Sequence, residues 1–238
     1  MASDEMQESR DPGVAARLVW DLPLRVAHWM LACTVPGAWI THYAGTRWFA
    51  WHRTLGYATL VLVAFRIVWG FVGPRHARFA AFVRGPRSVL DYLRSWPPRA
   101  TTGHNPLGAL SVLAMLAALL LQAATGLFAN DEIASAGPLY GWIAPATSNR
   151  ITGLHEANSY LLMALIALHL VAIAWYGRVL GRPLVRAMIT GRKPASEVGA
   201  GEAVRGSRTL LALAIVVALV VALVLMVRAA PDATIALY

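Results

Sequence analysis

His155 and His169 share one long, mostly apolar stretch, LHEANSYLLMALIALHLVAIAWY, in which Glu156 is the one charged residue between them. Fourteen residues is close to four helical turns. On a helix both imidazoles therefore leave one face, about 21 Å apart along the axis. An ionisable side chain in lipid is costly and usually marks function. Two on one stripe, near opposite membrane faces, need two internal partners, and two metal centres stacked across the bilayer are the most economical pair.

The elements that must position them follow from composition. The chain has 238 residues, is 58% hydrophobic and has a mean hydropathy of +0.54, which excludes an ordinary soluble domain. Five stretches, at 24–43, 53–73, 106–128, 155–176 and 209–227, reach the roughly 20 apolar residues that a helical span requires. Residues 1–17, with the run SDEMQESRD, lack a cleavable signal pattern, so the first span is expected to stay as an anchor. The expected fold is an all-α membrane protein: a four-helix transmembrane bundle over 18–193, preceded by a polar arm (1–17). A cytoplasmic linker (194–208) and a fifth transmembrane helix with a short external tail (209–238) follow it. The fifth span, TLLALAIVVALVVALVLMV, is apolar all round and is expected outside the functional core.

Basic residues set the orientation. The N-terminal arm carries Arg10, Arg17 and Arg25, the loop 74–105 six arginines and the loop 177–208 seven basic residues. The alternate side holds only Arg47, Arg53, Arg150 and Arg228. This bias places the N-terminus in the cytoplasm and the C-terminus outside. The net charge of +9 is thus a topology signal, and no nucleic-acid partner is expected. In the first basic loop, residues 86–96 read as an amphipathic helix on the membrane surface. Pro138, Trp142 and Pro145 mark 129–154 as an external loop. Cys33 is the single cysteine, so no intrachain disulfide or covalent Cys-x-x-Cys-His haem attachment is available.

Orientation pairs the histidines by depth. His52, at the outer start of the second span, matches His155; His28, just inside the first, matches His169. Each pair comes from two helices, so a flat ring fits between its members. Two axial imidazoles per iron is the ligation of a low-spin b-type haem, which carries electrons and leaves no open coordination position. Gly56 follows His52 by one turn on the same face and leaves room for a macrocycle. Arg66, fourteen residues after His52, reaches the inner level, where a haem propionate would answer its charge. His42 lies fourteen residues after His28 and competes for the outer site. Its place at the frayed end of its span and the phase disturbance from Pro36 disfavour it. His76 and His104, in the arginine-rich loop, are expected to be solvated or interfacial.

These segments resemble the bacterial cytochrome b-561 family, which includes the cytochrome b subunit of nickel–iron hydrogenases. The resemblance covers about residues 15–193. It rests on WDLPLRVAHW, HRTLGYATLVLVAFRIVWG, NPLGALSVLAMLAALLLQAATGLF and LHEANSYLLMALIALH followed by LVRAMITGRK. It implies a four-helix core with two non-covalent b haems and iron ligands at His28, His52, His155 and His169. It also implies electron transfer between a periplasmic or quinone partner and another redox protein, such as a c-type cytochrome or a hydrogenase-like subunit. His42 and the fifth span depart from the pattern.

The expected function is accordingly transmembrane electron relay in a respiratory chain, with no catalytic residue of its own, and an oligomer is compatible with it. The alternative is a quinol, superoxide or ferric-ion oxidoreductase using the same haems, although no substrate motif stands out. A histidine-lined transporter would need a polar path, whereas Leu161, Leu162, Met163, Leu165 and Ile166 separate His155 from His169.

Overall fold

In the computed structural model, described for residues 16–95, 101–132 and 135–231, helices dominate. Most of the polar arm and the end of the external tail lie outside the described residues. The long helices are α1 (Leu22–Tyr43), α2 (Phe49–Val72), α5 (Pro106–Gly126), α6 (Pro145–Arg178) and α8 (Thr209–Arg228). Short ones, α3 (Phe79–Phe82), α4 (Pro86–Arg94) and α7 (Leu184–Thr190), sit in the two basic loops. Among the described residues, four segments are long and apolar enough to cross a membrane: Thr46–Val72, which contains α2, together with α5, α6 and α8. α1 is 22 residues long but is diluted by Arg25, His28, His42 and two prolines.

Helix starts follow local chemistry. Asp21 caps α1, its Oδ1 accepting from Leu24 N at 3.1 Å, with Pro23 in the first turn. The same carboxylate, 1% exposed, accepts from Trp69 Nε1 at 3.0 Å and so ties α1 to α2. Asn105 caps α5 through Gly108 N at 2.7 Å. α6 begins at Pro145, ten residues before His155, so His155 does not open the helix as expected. The segment PATSNRITGL is too polar for a hydropathy window, yet proline suits a first helical turn. At 34 residues α6 is about 51 Å long, against about 30 Å of hydrocarbon, and the two histidines lie about one third and three quarters of the way along it.

α1 lies along α2, α2 against α5, and α5 against α6, while α8 packs on the outside of α2. One apolar cluster (Val63, Leu116, Ala118, Leu119 and Leu162) joins α2, α5 and α6 in mid-bundle. A second (Trp20, Leu24, Phe65, Trp69 and Ala212) joins α1, α2 and α8. At the end carrying the two basic loops, strand β1 (Ala16–Leu18) pairs antiparallel with β2 (Arg192–Pro194). Beyond β2 the chain crosses that end: Val198 is buried, Val204 N donates to Leu18 O, and Glu202 Oε1 accepts from Arg75. At the opposite end the loop after α5 folds back on itself. A Cβ at Gly137 would stand 2.3 Å from Leu127 O, so only glycine fits there.

Candidate functional site

The structure brings the histidines into two groups. At the end away from the basic loops, the rings of His52 on α2 and His155 on α6 lie 6.4 Å apart, centre to centre. At the basic end, His28 on α1 and His169 on α6 lie 6.5 Å apart. An imidazole nitrogen binds a first-row metal ion at about 2 Å, so two imidazoles facing one ion stand about 6 Å apart by their centres. Both spacings meet that figure. Between the groups lies the apolar cluster around Val63, Leu119 and Leu162, with the hydrogen-bonded hydroxyls of Thr34 and Thr59 buried on α1 and α2.

In the first group, hydrogen bonds fix which ring nitrogen is free. His52 Nδ1 donates to Ala38 O on α1 at 2.8 Å, leaving Nε2 as the lone pair. His155 Nδ1 faces Gln122 O at 3.0 Å and Thr125 Oγ1 at 3.1 Å on α5. Gln122 Oε1 accepts from Asn158 Nδ2 at 2.7 Å, so the Gln122 amide nitrogen donates to His155 Nε2 at 3.0 Å. A metal at His155 would take over that lone pair and release Gln122. These rings line a cleft with about 1110 Å³ of atom-free space, its open mouth included, together with His42, Gly56 and Gly126. A Cβ placed on Gly56 would meet nothing within 4 Å, so the wall beside His52 is open. His42 reaches this group as well, its ring 5.5 Å from that of His52.

The second group is short of partners instead. Nδ1 of His28 and both terminal nitrogens of Arg66 are buried without a hydrogen bond. Arg66 is 6% exposed, and its guanidinium lies 5.2 Å from the centre of the Phe79 ring. A buried donor left unpaired costs about 1–3 kcal/mol, more for a charged group, so this guanidinium is built for an anion. Asp21 is close enough for its charge to act on Arg66, but its hydrogen bonds go to Leu24 and Trp69. The residues present thus fit carboxylate-bearing, bis-imidazole haem at both ends. They offer two imidazoles with ring centres about 6 Å apart at each level, an open wall at Gly56 and a buried unpaired cation at Arg66.

Of the two positions expected for His76 and His104, solvated or interfacial, the structure removes the first. His76 is 7% exposed, with Nε2 2.7 Å from Glu202 O. His104 is wedged between Trp20 and Phe82, each with ring centres 4.7 Å away. Burial, with the positive charges of Arg66 and Lys193 beside it, holds His104 down to about 3, so its ring is neutral. The cause is the 192–204 segment folding over the loop, which the run of charges in the sequence concealed. Gln122 and Asn158 also escaped prediction as orienting groups, although Gln122 is the one amide side chain inside an otherwise apolar span.

Comparison with known proteins gives a consistent result. Residues 19–191 match the family described as prokaryotic cytochrome b561. A probable Ni/Fe-hydrogenase B-type cytochrome subunit of Azotobacter chroococcum is 26% identical over 208 residues, covering 73% of this chain and 86% of that protein. Its counterpart in Azotobacter vinelandii gives the same figures. One from Bradyrhizobium diazoefficiens is 21% identical over 210 residues, covering 74% and 85%. No solved structure matches the chain.

Proposed function

Because the chain belongs to the prokaryotic cytochrome b561 family, we propose that it relays electrons across a bacterial inner membrane through two b-type haems held by His28 with His169 and His52 with His155. When bound, each haem would supply a centre that takes up and gives back one electron. The observation that carries this reading is the pair of imidazole spacings, 6.5 and 6.4 Å, at opposite ends of one apolar cluster.

The chain's own residues orient, exclude water and balance charge. Ala38 O and Gln122 O hold the Nδ1–H of His52 and His155, and so direct each Nε2 lone pair into the cleft. Val63, Leu116, Leu119 and Leu162 keep water out of the layer between the two levels. Arg66 supplies a positive charge for a propionate at the basic end. Arg75, Arg84, Arg87 and Arg186 crowd that end, which supports a cytoplasmic N-terminus with α1 as a fifth span. The relatives' names support a hydrogenase-like redox partner, with a quinone or c-type cytochrome completing the relay.

Reduced-minus-oxidised spectra and a pyridine haemochrome assay of the purified chain test this. Two haems per polypeptide with b-type α-bands are expected. A colourless protein, or one haem per chain, overturns the reading.

A further inference from the structure

Among the described residues, the buried side-chain nitrogens without a hydrogen-bond partner are Arg25 Nε, His28 Nδ1, the two terminal nitrogens of Arg66 and His104 Nδ1. They belong to the basic end, where Arg66 lies close enough to His104 for its charge to act on that ring. Buried polar groups in proteins are ordinarily satisfied, so unmet nitrogens gathered around a buried guanidinium, which can only donate, point to an acceptor that belongs there.

The surroundings narrow its chemistry. Phe79 carries the Arg66 guanidinium at 5.2 Å; it packs on Phe82 at 5.8 Å, which packs on His104 at 4.7 Å. One short aromatic run thus supports both donors. Arg66 brings a full positive charge, while neutral His104 brings one N–H and no charge. The nearby carboxylate of the chain, Asp21, already accepts from Leu24 N and Trp69 Nε1. An incoming group must therefore carry its own negative charge and accept from two directions, as a carboxylate does.

We propose that His104 and Arg66 jointly hold one carboxylate of the haem at the His28–His169 level, His104 donating through Nδ1 and Arg66 through its terminal nitrogens. This rests on the two-haem reading above. His104 is then a cofactor-binding residue lying outside every span, and the loop before α5 reports on the inner haem.

The competing role for His104 is packing between Trp20 and Phe82, and the test separates the two. Full-length wild type, His104→Phe (which keeps a ring in place) and His104→Ala are stripped and reloaded with haem b or with haem b dimethyl ester. Retention at each level is followed by spectral count and redox titration. With haem b, both variants should lose the inner haem about tenfold more readily, the effect of one hydrogen bond to a charged acceptor. With the ester, variants and wild type should behave alike. Equal loss with both haems, or no loss with either, overturns the proposal. Wild type taking up fewer than two haems overturns the underlying reading instead.

Discussion

On the proposed two-haem reading, replacing Gly56 with leucine should remove one haem while leaving the polypeptide at least as stable as before. The two effects are opposite in sign, which makes the test sharp. An ideal Cβ at Gly56 meets no neighbouring atom within 4 Å, so the haem-free protein has room for a methyl group there, and the cleft beside it is where a longer side chain would extend. Within a helix, exchange of glycine for alanine stabilises by about 1 kcal/mol. His52 stands one turn earlier on the same face, and His155 lines the same cleft. A macrocycle between those imidazoles would pass against Gly56. Forcing a methyl group into such a contact costs about 1–3 kcal/mol, or about 5- to 150-fold in haem affinity for Gly56→Ala. The four carbons of leucine exceed what relaxation can absorb, and the haem count should fall from two to one. A pyridine haemochrome assay per chain reads the haem, and thermal unfolding of haem-free protein reads stability. Two haems in Gly56→Leu would show that no ring lies beside residue 56. A strongly destabilised haem-free variant would show that the cleft is not open.

Other perturbations address neighbouring contacts. His52→Ala should lose one haem per chain, and His42→Ala should keep both, because Ala38 O orients His52 and no described carbonyl orients His42; the same assay decides it. Gly70→Ala would place a Cβ 2.1 Å from the Phe79 ring, so Phe79 must move from beneath Arg66. A redox titration should then show a changed potential for one haem only. Asp21→Ala removes the cap of α1 and leaves buried Trp69 Nε1 without an acceptor, a loss of about 2–4 kcal/mol. Its melting temperature in detergent should fall, and Asp21→Asn should recover most of it.

What was legible in the residues alone divides along a physical line. The two-level arrangement was readable because helical periodicity is rigid: fourteen residues fix the relative direction of His155 and His169 whatever surrounds them. Hydropathy and charge then assign His52 and His28 to matching ends, and the ring spacings of 6.4 and 6.5 Å place each beside its expected counterpart. The start of α6 was hidden because hydropathy registers lipid contact, and PATSNRITGL is helical beyond the apolar layer. His76 and His104 were misjudged for the converse reason. A loop rich in arginine reads as solvated, yet the chain after β2 folds across it, held by Glu202 to Arg75 and by Val204 to Leu18. Such long-range closure leaves no periodic trace. The same distinction explains the two histidine groups. The pair held by backbone carbonyls of adjacent helices is oriented before any cofactor arrives, as Ala38 and Gln122 show. The pair at the basic end keeps unpaired donors around it, so its order should depend more on the group it binds, and haem removal should loosen that end first.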